Sequence, residues 1–481
     1  MSGEESGRRS SRWRGDAPTE PLPLSDLLHR TPFAGAQPQR ETTEDAHVAE
    51  ILDLCARVGE LMIRCGAGAP QVETAVVALA TASGMRGFEI DITLQSLHLQ
   101  ATSRSGGVHS VLRVVRSTRH DYARLVAVHE LVEAIVAGKV SLEDAGERLR
   151  EIKTHPRNWP MWAVSLANAV LASAVAVMIG ASAVGALASF VVVLLVRGVN
   201  RVLAEARLPE FFANAVNAAA ATLLAGAAYA AAASGWVPLR ADDFAYIVAG
   251  GIVAMLPGRT MASAIEDVLF GYPLTGAGRL LSVSLALSGL IIGVAAGLSI
   301  MLRVTRVLNS TFVPPSVLDL EISSAPWIAA VLAAFVVGLS GSVTVQSRRK
   351  LLVPAAVLCA IGAGALALLT RTFDIGYLSS TGLAAIIVGF AGRLVAVRLH
   401  LPPMTLVVPA SFGLLPGLTI FRALYAMVAE TGTDAGLLSL QSGFTTLLGA
   451  GAALLAIATG TVFGEILASP WDRRVSSVRS R

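Results

Sequence analysis

Hydrophobic positions are unevenly spread along the chain. From 161 to 196 there is no Asp, Glu, Lys or Arg, and similar charge-free runs cover 211–239, 280–302, 322–347, 351–370 and 435–464. Each is long enough to cross a bilayer, which takes roughly 20 apolar residues. A soluble protein would have to bury many helices that are apolar on every face, so the second part of the chain is read as membrane-embedded. A single helix over 161–196 would be about 54 Å long at about 1.5 Å per residue, nearly twice the hydrocarbon thickness of about 30 Å. Gly180-Ala181-Ser182 divides it into spans near 161–179 and 183–197. The other spans lie near 211–233, 244–265, 280–302, 326–346, 351–370, 377–397, 404–426 and 437–465, which makes about ten, five on each side of a Pro314-Pro315 linker.

The first part reads differently. Residues 1–45 are rich in Arg, Ser, Pro, Glu and Gly without an apolar run and predict a disordered tail. Arg8-Arg9 has no apolar core after it, so the first 155 residues are expected to stay on the side where they are made. From 46 to 157 the pattern is that of a small α+β cytoplasmic domain. Ile51, Leu54, Val58, Leu61 and Met62 recur at helical spacing, and Gly66-Ala67-Gly68-Ala69-Pro70 leads into a second helix over 72–83. Phe88, Ile90, Ile92 and Leu94 alternate with polar residues, Val108, Val111 and Val114 do so less regularly, and Ser105-Gly106-Gly107 between them predicts a hairpin. Helices near 122–137 and 142–152 then carry the chain to Trp159-Pro160-Met161-Trp162, whose tryptophans suit a membrane interface. The domain plan is thus a tail (1–45), the α+β domain (46–157), a first membrane half (158–308), a linker (309–325), a second half (326–466) and a basic tail (467–481).

The halves share a motif. Leu256-Pro257-Gly258-Arg259-Thr260 matches Leu415-Pro416-Gly417-Leu418-Thr419 at a constant offset of 159 residues, and both fall in the fourth of five spans. Because five is odd, the second half enters the membrane in the opposite sense, which predicts a 5+5 inverted repeat. Thirteen Lys or Arg fall in connections and tail on the side of the amino-terminal domain, against Arg240, Arg303, Arg306 and Arg371 on the other, so both termini are expected in the cytoplasm. Proline removes a backbone donor and glycine accepts many dihedrals, so each motif should interrupt its helix. Freed backbone groups must face protein or a water-filled cavity, and paired interruptions from opposite directions predict a polar site near the bilayer centre.

Ionisable residues cluster near these breaks. Arg259 and Arg422 are candidates for a substrate carboxylate, and Glu266, Asp267 and Glu465 for proton coupling or for pairing with arginine. Asn168, Asn214 and Asn217 are placed to hydrogen-bond a small zwitterion or one another's helices. The formal charge of +4 is small for 481 residues and sits in arginines flanking the apolar runs, which implies no nucleic-acid binding. Cys55, Cys65 and Cys359 form no CxxC pair and read as reduced packing residues. His129-Glu130-Leu131-Val132-Glu133 begins like a zinc-protease helix but has Glu133 in place of the second histidine, and His98 and His109 lie on opposite arms of the expected hairpin without a carboxylate or cysteine partner. No Walker lysine, Gly-x-Ser-x-Gly elbow or kinase signature is present, so no cofactor and no ATP-driven step are expected. A membrane-anchored enzyme or sensor acting through the amino-terminal domain is the alternative from another class.

Taken in order, Gly66-Ala67-Gly68, Val72-Glu73, Leu142-Glu143-Asp144-Ala145, Leu256-Pro257-Gly258, Asp267, Gly271, Thr275-Gly276 and Leu415-Pro416-Gly417 resemble the bacterial threonine/serine exporter family over about 48–465. The resemblance implies a cytoplasmic domain fused to ten helices in the bacterial inner membrane, exporting L-threonine and L-serine at the expense of the proton motive force. It also implies a dicarboxylate-exporting alternative, since in some relatives the halves are separate chains linked to that activity. Tyr272-Pro273 stands after Gly271 where the family pattern leads one to expect an acid, which leaves Asp267 as the better-matched one. The expected partners are the lipid bilayer, a small amino acid and protons, with homo-oligomerisation left open.

Overall fold

A computed structural model describes residues 45–85, 87–103, 105–308, 325–429 and 436–479. The predicted tail up to residue 44 and nearly all of the predicted linker lie outside these residues.

The amino-terminal part begins with α1 (Asp45–Arg64) and α2 (Ala69–Ala82), continues through β1 (Glu89–Thr93), β2 (Ser96–Thr102) and β3 (Val108–Val114), and closes with α3 (Tyr122–Val136) and α4 (Leu142–Thr154). Both later helices start on side-chain caps, Asp121 accepting from the Arg124 N–H and Ser141 from the Asp144 N–H. The sheet is antiparallel in the order β1-β2-β3, with Ile92 opposite Leu97 and Leu99 opposite Val111. Leu97, Leu99 and Ala101 are buried beneath α1. The hairpin expected between the segments around Ile90 and Val111 is therefore a three-stranded meander, with β2 between them. Its first turn, at Leu94-Gln95, carries neither Gly nor Pro. Leu94 takes a left-handed φ of 55°, and its N–H is held by the Thr275 hydroxyl at 3.0 Å, so a contact from 181 residues away supports a turn with no local signal.

The remainder is helical: α5 (Met161–Ile179), α6 (Ala183–Glu205), α7 (Glu210–Ala233), α8 (Asp243–Met255), α9 (Gly258–Leu269), α10 (Pro273–Leu308), α11 (Trp327–Thr344), α12 (Leu352–Arg371), α13 (Tyr377–Leu399), α14 (Met404–Ser411, prolonged by a 3-10 turn to Leu414), α15 (Gly417–Ala429) and α16 (Gly436–Arg479). Among the described residues eight of these are single helices long and apolar enough to cross a membrane. Two bent pairs, α8 with α9 at 48° and α14 with α15 at 44°, pass the same test, giving ten crossings if each pair is one span. The protein is a polytopic, multi-pass membrane protein. The fifth span starts at Pro273 and the last helix continues to Arg479, both beyond the charge-free runs.

Packing recurs between the two groups of spans. α7 lies along α10 and α13 along α16; α9 packs on α10 and α15 on α16; α9 also reaches α16, and α15 reaches α10. Small residues permit these approaches. Gly293 and Gly297 of α10 face the Ala215 and Ala219 carbonyls of α7, while Gly460 and Gly464 of α16 face the Gly382 and Ile386 carbonyls of α13. In lipid, where apolar surface gains little by leaving one apolar medium for another, such close backbone contact is a main source of helix association.

Candidate functional site

The two Leu-Pro-Gly segments come together. Leu256 (φ −62°, ψ 133°) and Leu415 (φ −66°, ψ 133°) share an extended conformation, as a residue before proline is steered to do. Each ends one half-helix, and Gly258 or Gly417 begins the next. A Cβ on Gly258 would lie 3.6 Å from the Leu415 side chain, and one on Gly417 would lie 2.7 Å from the Ala249 carbonyl of α8. Glycine at 417 is thus what lets α15 start against α8, and Phe244 and Phe421 stack edge to face beside that crossing at 5.8 Å.

The helix α9 has no side-chain cap, and its bonding resumes with Met261 N–H to the Pro257 carbonyl, as that of α15 does with Ile420 N–H to the Pro416 carbonyl. Leu256, Leu415, Pro416 and Gly417 are buried, and Pro257, Gly258, Arg259, Thr260, Thr419 and Arg422 are half-buried. Arg259 makes no hydrogen bond or ion pair among the described residues, although it acts electrostatically on Tyr122, His120 and Arg197. Of the asparagines, Asn217 donates to the Asn200 Oδ1 at 2.8 Å, joining α7 to α6, Asn168 bonds back to the Val164 carbonyl, and Asn214 is half-buried on α7.

Two of the candidate acids, Glu266 and Asp267, lie toward the other end of α9, against the amino-terminal part. Asp267, fully buried, accepts the Ala69 N–H at 2.7 Å and pairs with Arg279 at 2.8 Å. Arg279 also donates to the Ala67 carbonyl, and Gln71 donates to Glu266 at 2.9 Å. The positive end of α2 therefore rests on two carboxylates, the arrangement a helix N-terminus favours. A Cβ on Gly68 would come 2.9 Å from the Glu266 carboxylate, so a side chain there would force that carboxylate to shift. Gly66 has a φ of 95° and lies under the His120 ring, which excludes a side chain twice over. Thr275 accepts from the Leu94 N–H and donates to the Ile92 carbonyl, anchoring the β1–β2 turn on α10. Tyr272 meets Glu73 of α2 as a hydrogen-bond partner, which ties the start of α10 to the amino-terminal part. Glu465, on α16, is within electrostatic reach of Glu266 and Arg393.

A second set of contacts fixes the amino-terminal part to α11. The Tyr122 and Ala123 N–H groups, orphan donors of the first turn of α3, donate to the Val345 and Gln346 carbonyls at the end of α11, both at 3.1 Å. Glu130 pairs with Arg348, and Trp159 exchanges hydrogen bonds with Gln346. His129 sits 3.6 Å from Glu133. His98 bonds Ser110 at 2.8 Å, so the strand histidines do not meet as a pair. The three cysteines are buried and free, and burial pushes the Cys65 thiol up to about 12.

A threonine/serine exporter family model matches residues 53–301, and a second threonine/serine exporter model matches 330–467. The chain belongs to the threonine/serine exporter family. It is 29% identical over 461 residues to a probable threonine/serine exporter of Mycobacterium tuberculosis, covering 94% of this chain and 81% of the relative. It is 28% identical over 443 residues to a threonine/serine exporter of Corynebacterium glutamicum, covering 89% and 84%. A probable succinate transporter subunit of Escherichia coli aligns at 24% identity over 251 residues, 51% of this chain and 93% of that one. No solved structure matches. These relatives are named for transport rather than catalysis, and the chain is a membrane transporter of this family.

The residues on which the resemblance rests now have positions. Gly66, Gly68, Glu73, Asp267 and Thr275 meet at one junction between the amino-terminal part and α9–α10, while the two Leu-Pro-Gly segments meet at the crossing of the broken helices. Sequence reasoning missed His120 and Tyr122, which carry no local motif, and Arg197 entered it only as one of the thirteen Lys or Arg counted for orientation.

Proposed function

We propose that the protein is a secondary exporter of L-threonine and L-serine, driven by the proton motive force, with substrate held between the two Pro-Gly-broken helices. The observation that carries this reading is the crossing of the breaks, where two half-helices begin, two end, and Arg259 is without a partner among the described residues. Helix N-termini and a guanidinium attract a carboxylate, and the carbonyl ends of α8 and α14 attract an ammonium, so an amino-acid zwitterion matches both. Leu256, Pro257, Gly258, Arg259 and Thr260 supply one wall, and Leu415, Pro416, Gly417, Thr419 and Arg422 the other, with Asn214 and Asn217 behind them.

The halves, 158–308 and 326–466, act as an inverted repeat around this point. Their recurring contacts and the matching backbone at Leu256 and Leu415 support that arrangement. An α+β domain over 46–157 caps the cytoplasmic ends, and the arginine bias supports cytoplasmic termini. For coupling, Glu266 and Glu465 are the carboxylates we assign to the proton. Asp267, already matched by Arg279 and Ala69, connects that pair to the domain. Export of a dicarboxylate is the second reading, favoured by the relationship to the succinate transporter subunit.

Purified protein in proteoliposomes, supplied with labelled threonine, serine or succinate and an imposed pH gradient, tests the reading. Threonine and serine should accumulate with the gradient, and Arg259→Gln should lower the flux at least tenfold at equal insertion. Flux indifferent to collapse of the gradient removes proton coupling, and transport of succinate alone replaces the cargo.

A further inference from the structure

The turn that carries His120, Asp121 and Tyr122 is strapped from two sides. The Arg119 N–H donates to the Arg64 carbonyl at 2.7 Å and the Asp121 N–H to that of Cys65 at 3.3 Å, while the Tyr122 and Ala123 N–H groups bond the end of α11. Asp121 caps α3 from within the turn, and the His120 ring lies over Gly66. Held this way, the Tyr122 side chain is fully enclosed. It is 0% exposed, and its hydroxyl has no hydrogen-bond partner.

A buried hydroxyl without a partner is costly, commonly by enough to shift an equilibrium about tenfold or more, so a ligand that satisfies it is strongly favoured. The surroundings say which kind. Arg259 and Glu266, two turns apart on one face of α9, both act electrostatically on Tyr122, so the phenol lies within electrostatic reach of the stretch of α9 between the break and the domain junction. Arg197 of α6 lies within reach of Arg259 and Arg201, and its buried Nε is also unpartnered. Against these three guanidinium groups stand two acids, Glu210 at the start of α7, which acts on Arg259, and Glu266, which acts on Tyr122. Like charges gathered without pairing, beside an unused hydroxyl donor, form a receptor for an anion. Burial pushes the phenol up, so it stays a donor throughout the physiological range.

We propose that the amino-terminal domain contributes directly to substrate binding: the Tyr122 hydroxyl, with the Arg197 and Arg259 guanidinium groups, forms a carboxylate-binding site on the domain side of the crossing. This deepens the transport reading and rests on it. Tyr122 donates one hydrogen bond to a carboxylate oxygen, Arg259 can approach the same group in fork geometry, and Arg197 supplies the flanking charge. The domain is then part of the binding wall, and a substrate carboxylate reaching Arg259 passes a residue that moves only when the domain moves.

Binding to purified full-length protein, measured calorimetrically with threonine, threoninol (which lacks the carboxylate) and succinate, tests this. Tyr122→Phe deletes a hydroxyl that bonds nothing in the described structure, so folding should be unaffected, as size-exclusion behaviour will verify. The expected result is roughly tenfold weaker threonine binding with threoninol unchanged, and a comparable loss in Arg197→Gln. A loss for succinate alone supports the carboxylate site with a dicarboxylate as its source, and overturns the amino-acid cargo. Wild-type affinity for threonine and succinate in Tyr122→Phe, or equal weakening for threonine and threoninol, overturns the site while leaving the export reading intact. Wild-type protein that binds none of threonine, serine and succinate overturns both.

Discussion

Asp267→Ala is the perturbation that most directly reads the junction between the amino-terminal part and the membrane bundle. Asp267 is fully buried, accepts the Ala69 N–H at 2.7 Å and pairs with Arg279, whose side chain is 19% exposed. Removing one partner of a buried pair commonly costs about 3–5 kcal/mol, because the remaining charge is left uncompensated. The same change strips the acceptor from the Ala69 N–H, the first donor of α2. The opening of α2 from α9 should therefore become easier by about 3–5 kcal/mol, or roughly two to four decades in the opening equilibrium at about 1.4 kcal/mol per decade. Hydrogen exchange in lipid nanodiscs reads this at the α2 N-terminus, with the sheet interior as an internal control. Protection should fall by that factor around Ala69 and stay unchanged at Leu97–Ala101. Asp267→Asn, which can still accept from Ala69, should fall in between, and Asp267→Asn with Arg279→Gln should recover part of the loss. Wild-type protection at Ala69 in Asp267→Ala would refute the claim that this carboxylate fastens the two parts together.

Other outcomes follow from the same contacts. Gly66→Ala should destabilise the protein by about 1–3 kcal/mol, since a non-glycine residue there is strained at φ 95° and meets the His120 ring, and a thermal shift measures it. His120 is pushed down to about 3 by burial, with Arg259 and Arg279 adding to the effect. Its folded pKa is thus below the unfolded value near about 6.5, so its contribution is complete above that pH and is lost as pH falls toward 3, at up to about 1.4 kcal/mol per unit. His120→Gln should flatten the acid limb of a stability–pH profile, and an unchanged limb would contradict the assignment. Glu130→Gln should change stability by less than about 1 kcal/mol, because its pair with Arg348 is half-exposed to solvent.

The number of crossings, the two breaks and the helical and strand content of the amino-terminal part were legible in the sequence because each rests on local physics. An apolar run must be about as long as the bilayer is thick, proline and glycine interrupt a helix wherever they stand, and amphipathic periodicity repeats within a few residues. What the sequence could not reveal was which distant groups face one another. Ala69 and Asp267 are 198 residues apart, and nothing near either names the other. Leu94 turns a strand because Thr275 holds it, and the Tyr122 phenol is buried because the ends of α1 and α11 grip the turn beside it. Local pattern determines the elements and where they break. Only the tertiary structure decides which charges are matched, as at Asp267, and which stand without a partner among the described residues, as at Arg259.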